Sequence, residues 1–147
     1  MVISKALVKG VLTRDLGWIP NLGQKLHIVD ASYKTISKTF VLNQIRHDEW
    51  LQPKLAYKPE VFDCDDFAIH LKTKLAKLFY HRGEPLPAAL GFIVTARHAF
   101  NFSIDKAGDH YRLVLYDTVH TTLEERPQAF AQFLDFRPGN TIKLLYI

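Results

Sequence analysis

The chain has 147 residues, 48% of them hydrophobic and 23% charged, which is enough for one domain with its own core and excludes disordered and collagen-like classes. No apolar run approaches the ~18 residues that a membrane span needs, and Lys5, Lys9, Arg14 and Asp15 interrupt the first residues before a secretory core can form. Nineteen Lys and Arg against fifteen Asp and Glu leave a net charge of +4, but no dense basic run with interleaved aromatics accompanies it. The expected setting is therefore cytoplasmic, with neither membrane nor nucleic acid as a partner.

Apolar residues Leu7, Val8, Val11 and Leu12 recur at helical spacing over 4–15, until Gly17 and Pro20 interrupt them. Leu26–Asp30 reads as a short strand. Ile36, Phe40, Val41 and Ile45 predict an amphipathic helix within 35–48, and Pro53, Pro59 and the residues between them read as a loop. No repeat, low-complexity tract or Gly/Ser linker divides the sequence, so residues 1–147 are expected to form a single domain.

The clearest element is a helix over 64–80. Asp63 suits the N-cap, acids occupy the first turn and lysines follow, in the order that the helix dipole favours. Cys64, Phe67, Ala68, Leu71, Leu75 and Leu78 share one face, which places the thiol on the apolar side at the N-terminal tip. After the Gly83–Pro87 break the pattern turns to strands. Leu90–Ile104 reads as one strand with Phe92, Val94, Ala96, His98, Phe100 and Phe102 on a common face. A second strand spans Tyr111–Asp117, and a two-residue loop at Ala107-Gly108 would set His98 directly opposite Asp117. Glu124–Leu134 is expected to form a short helix and Thr141–Ile147 a closing strand.

Cys64 is the only cysteine, so an intramolecular disulfide and a Cys-rich zinc site are excluded. Cys64, His98 and Asp117 together satisfy the needs of a thiol nucleophile. A helix N-terminus and a neighbouring imidazole favour the thiolate, the imidazole can protonate a leaving amine, and an aspartate fixes its tautomer. Each residue also has a plainer reading: Cys64 as core packing, His98 as a buried histidine, Asp117 as a strand end. Asp63, Asp65 and Asp66 would raise the thiol pKa unless a hard cation such as calcium offsets them, or they only cap the helix. A transition-metal reading, with His98, His110, His120 and Asp117 as ligands, lacks a reason for positions 110 and 120 to converge on 98.

Asp-Cys-Asp-Asp-Phe-Ala at 63–68, Arg-His-Ala-Phe-Asn at 97–101 and Leu-Tyr-Asp-Thr at 115–118 resemble two related groups. One is the bacterial transglutaminase-like cysteine proteinases, the group of the large-adhesin periplasmic protease. The other is the papain-like C-terminal domain of the Marasmius oreades agglutinin. Over residues 57–120 the resemblance implies an α+β fold, papain-like or transglutaminase-like, with N-terminal helices and a central Cys-bearing helix packed on an antiparallel sheet. It implies a calcium-dependent cysteine hydrolase that cleaves an amide bond of a protein or peptide. In that reading Cys64 is the nucleophile, His98 the base and acid, Asp117 the orienting acid, and Asp63, Asp65 and Asp66 the calcium ligands. Gln52, Trp50 and Tyr57 are candidate oxyanion donors beside the Cys64 N–H. The rival from another class is a non-catalytic binding or host-interaction protein that keeps the fold and not the turnover.

Overall fold

The computed structural model describes residues 1–17, 19, 21–52, 58–59 and 63–147. A short strand, β1 (Val2–Ser4), runs directly into helix α1 (Lys5–Leu16). The Ser4 hydroxyl accepts the Leu7 N–H at 3.2 Å, satisfying one of the orphan donors of the first turn. Gly17, at φ 71°, ends the helix in a conformation that a side chain resists. A single-turn helix α2 (Leu22–Lys25) leads to β2 (Leu26–His27), shorter than the Leu26–Asp30 strand expected. Strand β3 (Ser32–Lys34) pairs antiparallel with β1 as a separate two-stranded sheet.

Helix α3 (Lys38–Arg46) lies inside the expected range, capped by the Ser37 hydroxyl, and a 3-10 turn follows at Glu49–Leu51. Most of the predicted loop, residues 53–57, lies outside the described residues. Helix α4 (Cys64–His81) matches the predicted Cys-bearing helix closely. Asp63 is its N-cap, and the Asp66 carboxylate reaches back to accept the Asp63 N–H at 3.3 Å.

The C-terminal half supplies β4 (Leu90–Thr95), β5 (Ala99–Ala107), β6 (His110–Asp117), β7 (Thr122–Glu124) and β8 (Ile142–Tyr146), with the one-turn helix α5 (Phe130–Phe133) before the last strand. The six-stranded sheet has the order β2-β8-β4-β5-β6-β7. The fold is α+β. Its main sheet is mixed rather than purely antiparallel, because β2 runs parallel to β8. A two-residue strand carries no alternation, so its direction has no signature in the sequence.

Helices cover both faces of this sheet. Val8, Val11 and Leu12 of α1 pack with Ile93, Phe100, Phe102, Leu113, Leu115 and Leu145 on one side. Phe67, Leu71 and Leu75 of α4 and Val41 and Ile45 of α3 pack with Leu90, Val114 and Tyr116 on the other. Alternate residues of β6 thus feed two different cores, which is why that strand reads as a continuous apolar run.

Three expectations are corrected. The strand expected over Leu90–Ile104 is a hairpin, broken between Thr95 and Ala99, so Phe92 and Phe100 lie on opposite faces. The β5–β6 turn is Gly108-Asp109, one position later than expected, and Asn101 pairs with Tyr116. In that register His98 is no longer directly opposite Asp117. In place of one helix over Glu124–Leu134 there are β7, a 3-10 turn at Pro127–Ala129 and α5.

Candidate active site

The thiol of Cys64 stands half-buried at the first position of α4. Burial pushes its pKa up, the backbone N–H of Ala99 pulls it down, and the charges of Asp63 and Asp65 push it up again. The net direction is upward. Asp65 is itself held above the ordinary carboxylate range, first by a hydrogen bond shared with the Asp63 carboxyl and then by burial. Two carboxylates this close are a poor neighbour for a thiolate and a good pair of ligands for a hard cation. The ligand atoms of Asp63, Cys64 and Asp65 all lie within 4.8 Å of one another. Asp66 is drawn instead to the Asp63 backbone, so the structure brings two of the three expected calcium ligands together around the thiol.

Ala99, which faces the sulfur, directly follows His98. The hairpin between β4 and β5 is held by one side chain. Thr95 Oγ1 accepts the N–H groups of Arg97 (3.3 Å) and His98 (3.1 Å) and donates to the His98 carbonyl at 3.0 Å. The Thr95 N–H donates to the same carbonyl at 2.9 Å. A Thr95→Val variant leaves those two N–H groups without an acceptor while conserving shape. It should lose about 1–3 kcal/mol in urea denaturation and shift the His98 imidazole signals in an NMR spectrum that stays dispersed.

His98 Nε2 lies 3.1 Å from Asp117 Oδ1, and its ring stands edge-on to Phe100 with centroids 4.6 Å apart. The contact survives the corrected register because the two-residue shift preserves the side of the sheet: His98 and Asp117 become diagonal neighbours at the strand ends. Asp117 is buried. Burial alone would raise its pKa, and the imidazoles of His98 and His120 more than offset that, leaving it below the ordinary range. Asp117 Oδ1 also accepts the N–H groups of Val119 (3.1 Å) and His120 (3.2 Å), which bends the chain so that His120 Nδ1 meets Oδ2 at 2.7 Å.

Asn101 ties the two halves of the site together. Fully buried, it donates Nδ2 to the carbonyl of Ala68, one turn into α4, at 2.9 Å and to that of Gly91 on β4 at 3.2 Å. The helix that carries Cys64 is thereby fixed to the hairpin that carries His98. The helix packs on one sheet face and the His98 ring leans to the other, beside Phe100. No hydrogen bond or ion pair joins Cys64 to His98 among the described residues; the sulfur meets the main chain of Ala99 instead.

The chain matches no family model, no curated protein and no solved structure.

Of the candidate oxyanion donors, Gln52 is committed elsewhere. Its Nε2 donates to the carbonyls of Ile45 (3.0 Å), Arg46 (3.3 Å) and Asp48 (3.2 Å), closing the C-terminal end of α3. Gln52→Ala should therefore lower stability by about 1 kcal/mol in urea and leave the alkylation rate of Cys64 unchanged. Trp50 is exposed, and Tyr57 lies outside the described residues. His120 was not expected at Asp117 from the strand pattern, although an aspartate ending a strand is a recognisable signal for a turn that doubles back. His110, seven residues up β6 from Asp117, lies at the far end of that strand, by the β5–β6 turn.

Proposed function

We propose that this protein is a papain-like or transglutaminase-like cysteine hydrolase of amide, foremost peptide, bonds, with Cys64, His98 and Asp117 as its triad. One observation carries the reading: the thiol at the tip of α4 is set against the Ala99 N–H, next in sequence to a histidine whose Nε2 already faces a buried aspartate. In such a reaction the sulfur attacks the carbonyl carbon, the amine leaves with a proton from His98, and water then cleaves the thioester with His98 as base. Asp117, 3.1 Å from Nε2, would orient the imidazole during the reaction and support its charged form. The Cys64 N–H, at the first position of a helix, has no partner within the helix and is suited to the oxyanion.

Asp63 and Asp65 would hold calcium, and the ion would supply positive charge beside the thiol. The closeness of the two carboxylates to each other and to the thiol supports that assignment, since a cation relieves their repulsion. The competing reading, a non-catalytic binding protein, draws on the upward shift of the Cys64 pKa. Iodoacetamide alkylation across pH separates the two. With calcium present the rate should rise to its plateau at a lower pH than in chelator, because the raised pKa of the cation-free thiol keeps it protonated to higher pH. Slow alkylation at neutral pH in both conditions would make Cys64 a core residue and remove the hydrolase reading.

A further inference from the structure

We infer that His98, Asp117 and His120 form a binding site for a borderline-soft divalent ion, Zn2+ in the first place, distinct from the calcium assigned to Asp63 and Asp65. Donor atoms of the three side chains all lie within 4.8 Å of one another, with His98 Nε2 3.1 Å from Oδ1 and His120 Nδ1 2.7 Å from Oδ2 of the aspartate. Two ligands held at ~2.0–2.1 Å from one zinc ion stand about 2.9–3.4 Å apart, a range that includes the His98–Asp117 separation, and the His120–Asp117 hydrogen bond would open slightly to admit the ion. A second observation points the same way. His98 Nε2 is shielded from solvent and, at 3.1 Å from the carboxylate, is aimed away from the line of a well-formed hydrogen bond. A buried ring nitrogen that close to a carboxylate oxygen and aimed off the hydrogen-bond line is placed as a metal ligand is placed, with the ion between the two.

The surroundings suit an ion. The N–H groups of Val119 and His120 hold Oδ1 of Asp117, the kind of outer support that orients a ligating carboxylate. The His120 side chain is 67% exposed, which gives an ion a way in. Two imidazoles and one carboxylate favour zinc over calcium, which takes oxygen ligands. His98 would then have two exclusive uses, as partner of the thiol or as ligand of zinc, and zinc would inhibit the hydrolase. The binding part of this inference stands without the hydrolase reading; the inhibitory part rests on it.

The test is a zinc titration in competition with a chromophoric chelator, on the wild type, His120→Ala and Cys64→Ser. One equivalent should bind to the wild type, at least tenfold more weakly to His120→Ala, and with unchanged affinity to Cys64→Ser. Equal affinity for wild type and His120→Ala, or loss of binding in Cys64→Ser, would overturn the site. His120→Ala and His120→Gln should both stay folded, with urea midpoints lowered by no more than the loss of the one bond to Asp117. Zinc should also slow Cys64 alkylation in the wild type and not in His120→Ala at the same concentration. Bound zinc that leaves the rate unchanged would overturn the inhibitory part. Alkylation of His98→Ala without zinc reports separately on the hydrolase reading.

Discussion

Replacing His98 with alanine should slow alkylation of Cys64 at pH 7 by more than about tenfold when calcium is present. While a thiol remains mostly protonated, each unit by which its pKa rises removes about nine tenths of the thiolate. Burial and the charges of Asp63 and Asp65 act against the thiolate at the tip of α4, and the Ala99 N–H and the helix end act for it. In the proposed mechanism an imidazolium on His98 would add positive charge beyond that of calcium, and removing it should displace the rate profile toward higher pH. Asp117→Asn should displace it less, since the imidazole stays and only loses the carboxylate that favours its charged form. Thiolate formation is read directly by absorbance near 240 nm on the same variants. Superimposable profiles for the wild type and His98→Ala would detach His98 from the thiol and leave the zinc site as its only assigned role.

Helix α4 was legible from the sequence because several signals agreed there: an acidic cap, an apolar stripe of helical period and lysines on the far face. The hairpin after Thr95 was not. Thr-Ala-Arg-His contains no Gly, Pro, Asn or Asp, so nothing in its composition marks a turn, and the alternation of Phe92 and Val94 with Phe100 and Phe102 continues through it unbroken. The turn is made by the Thr95 hydroxyl, whose bonds to residues 97 and 98 take the place of a turn-forming residue. Period-two patterning then explains why the His98–Asp117 pair was foreseen from a wrong register: an even shift changes the partner and keeps the face. The path of the chain after Asp117 was less accessible. Thr121 at φ 55° and the two N–H groups gathered by Asp117 steer His120 back toward the carboxylate, and neither leaves a hydrophobic pattern. The charge argument around Cys64 was available early, since three acids beside a thiol can be counted without coordinates; that Asp66 turns to the backbone could not be.

Gly91→Ala should cost about 3 kcal/mol of stability, seen as a large fall in the urea midpoint, with an unchanged slope if the variant still unfolds in one step. The glycine is in β4, directly across from Phe102 of β5, and the Phe102 ring lies over it. A methyl group there would come within 2.5 Å of Phe102 Cζ and would overlap the Tyr146 carbonyl oxygen on β8. Phe102 is fully buried in the core formed with α1, so its ring has no free volume to enter. The Tyr146 oxygen belongs to the backbone of the neighbouring strand, so it moves only if β4 and β8 separate. For that reason Gly91→Ala combined with Phe102→Leu should recover little: the ring clash is relieved and the backbone clash remains. The damage should also reach the candidate site. The Gly91 carbonyl receives the Asn101 amide, and the Leu90 carbonyl receives Lys72 Nζ of α4 at 2.9 Å, so a displaced β4 loosens both ties between the Cys64 helix and the sheet. A Gly91→Ala protein within about 0.5 kcal/mol of the wild type would mean that strand spacing here is not set by this contact. A destabilised variant should instead show Cys64 alkylation that no longer depends on His98, because the helix tip and the hairpin would no longer be held in register.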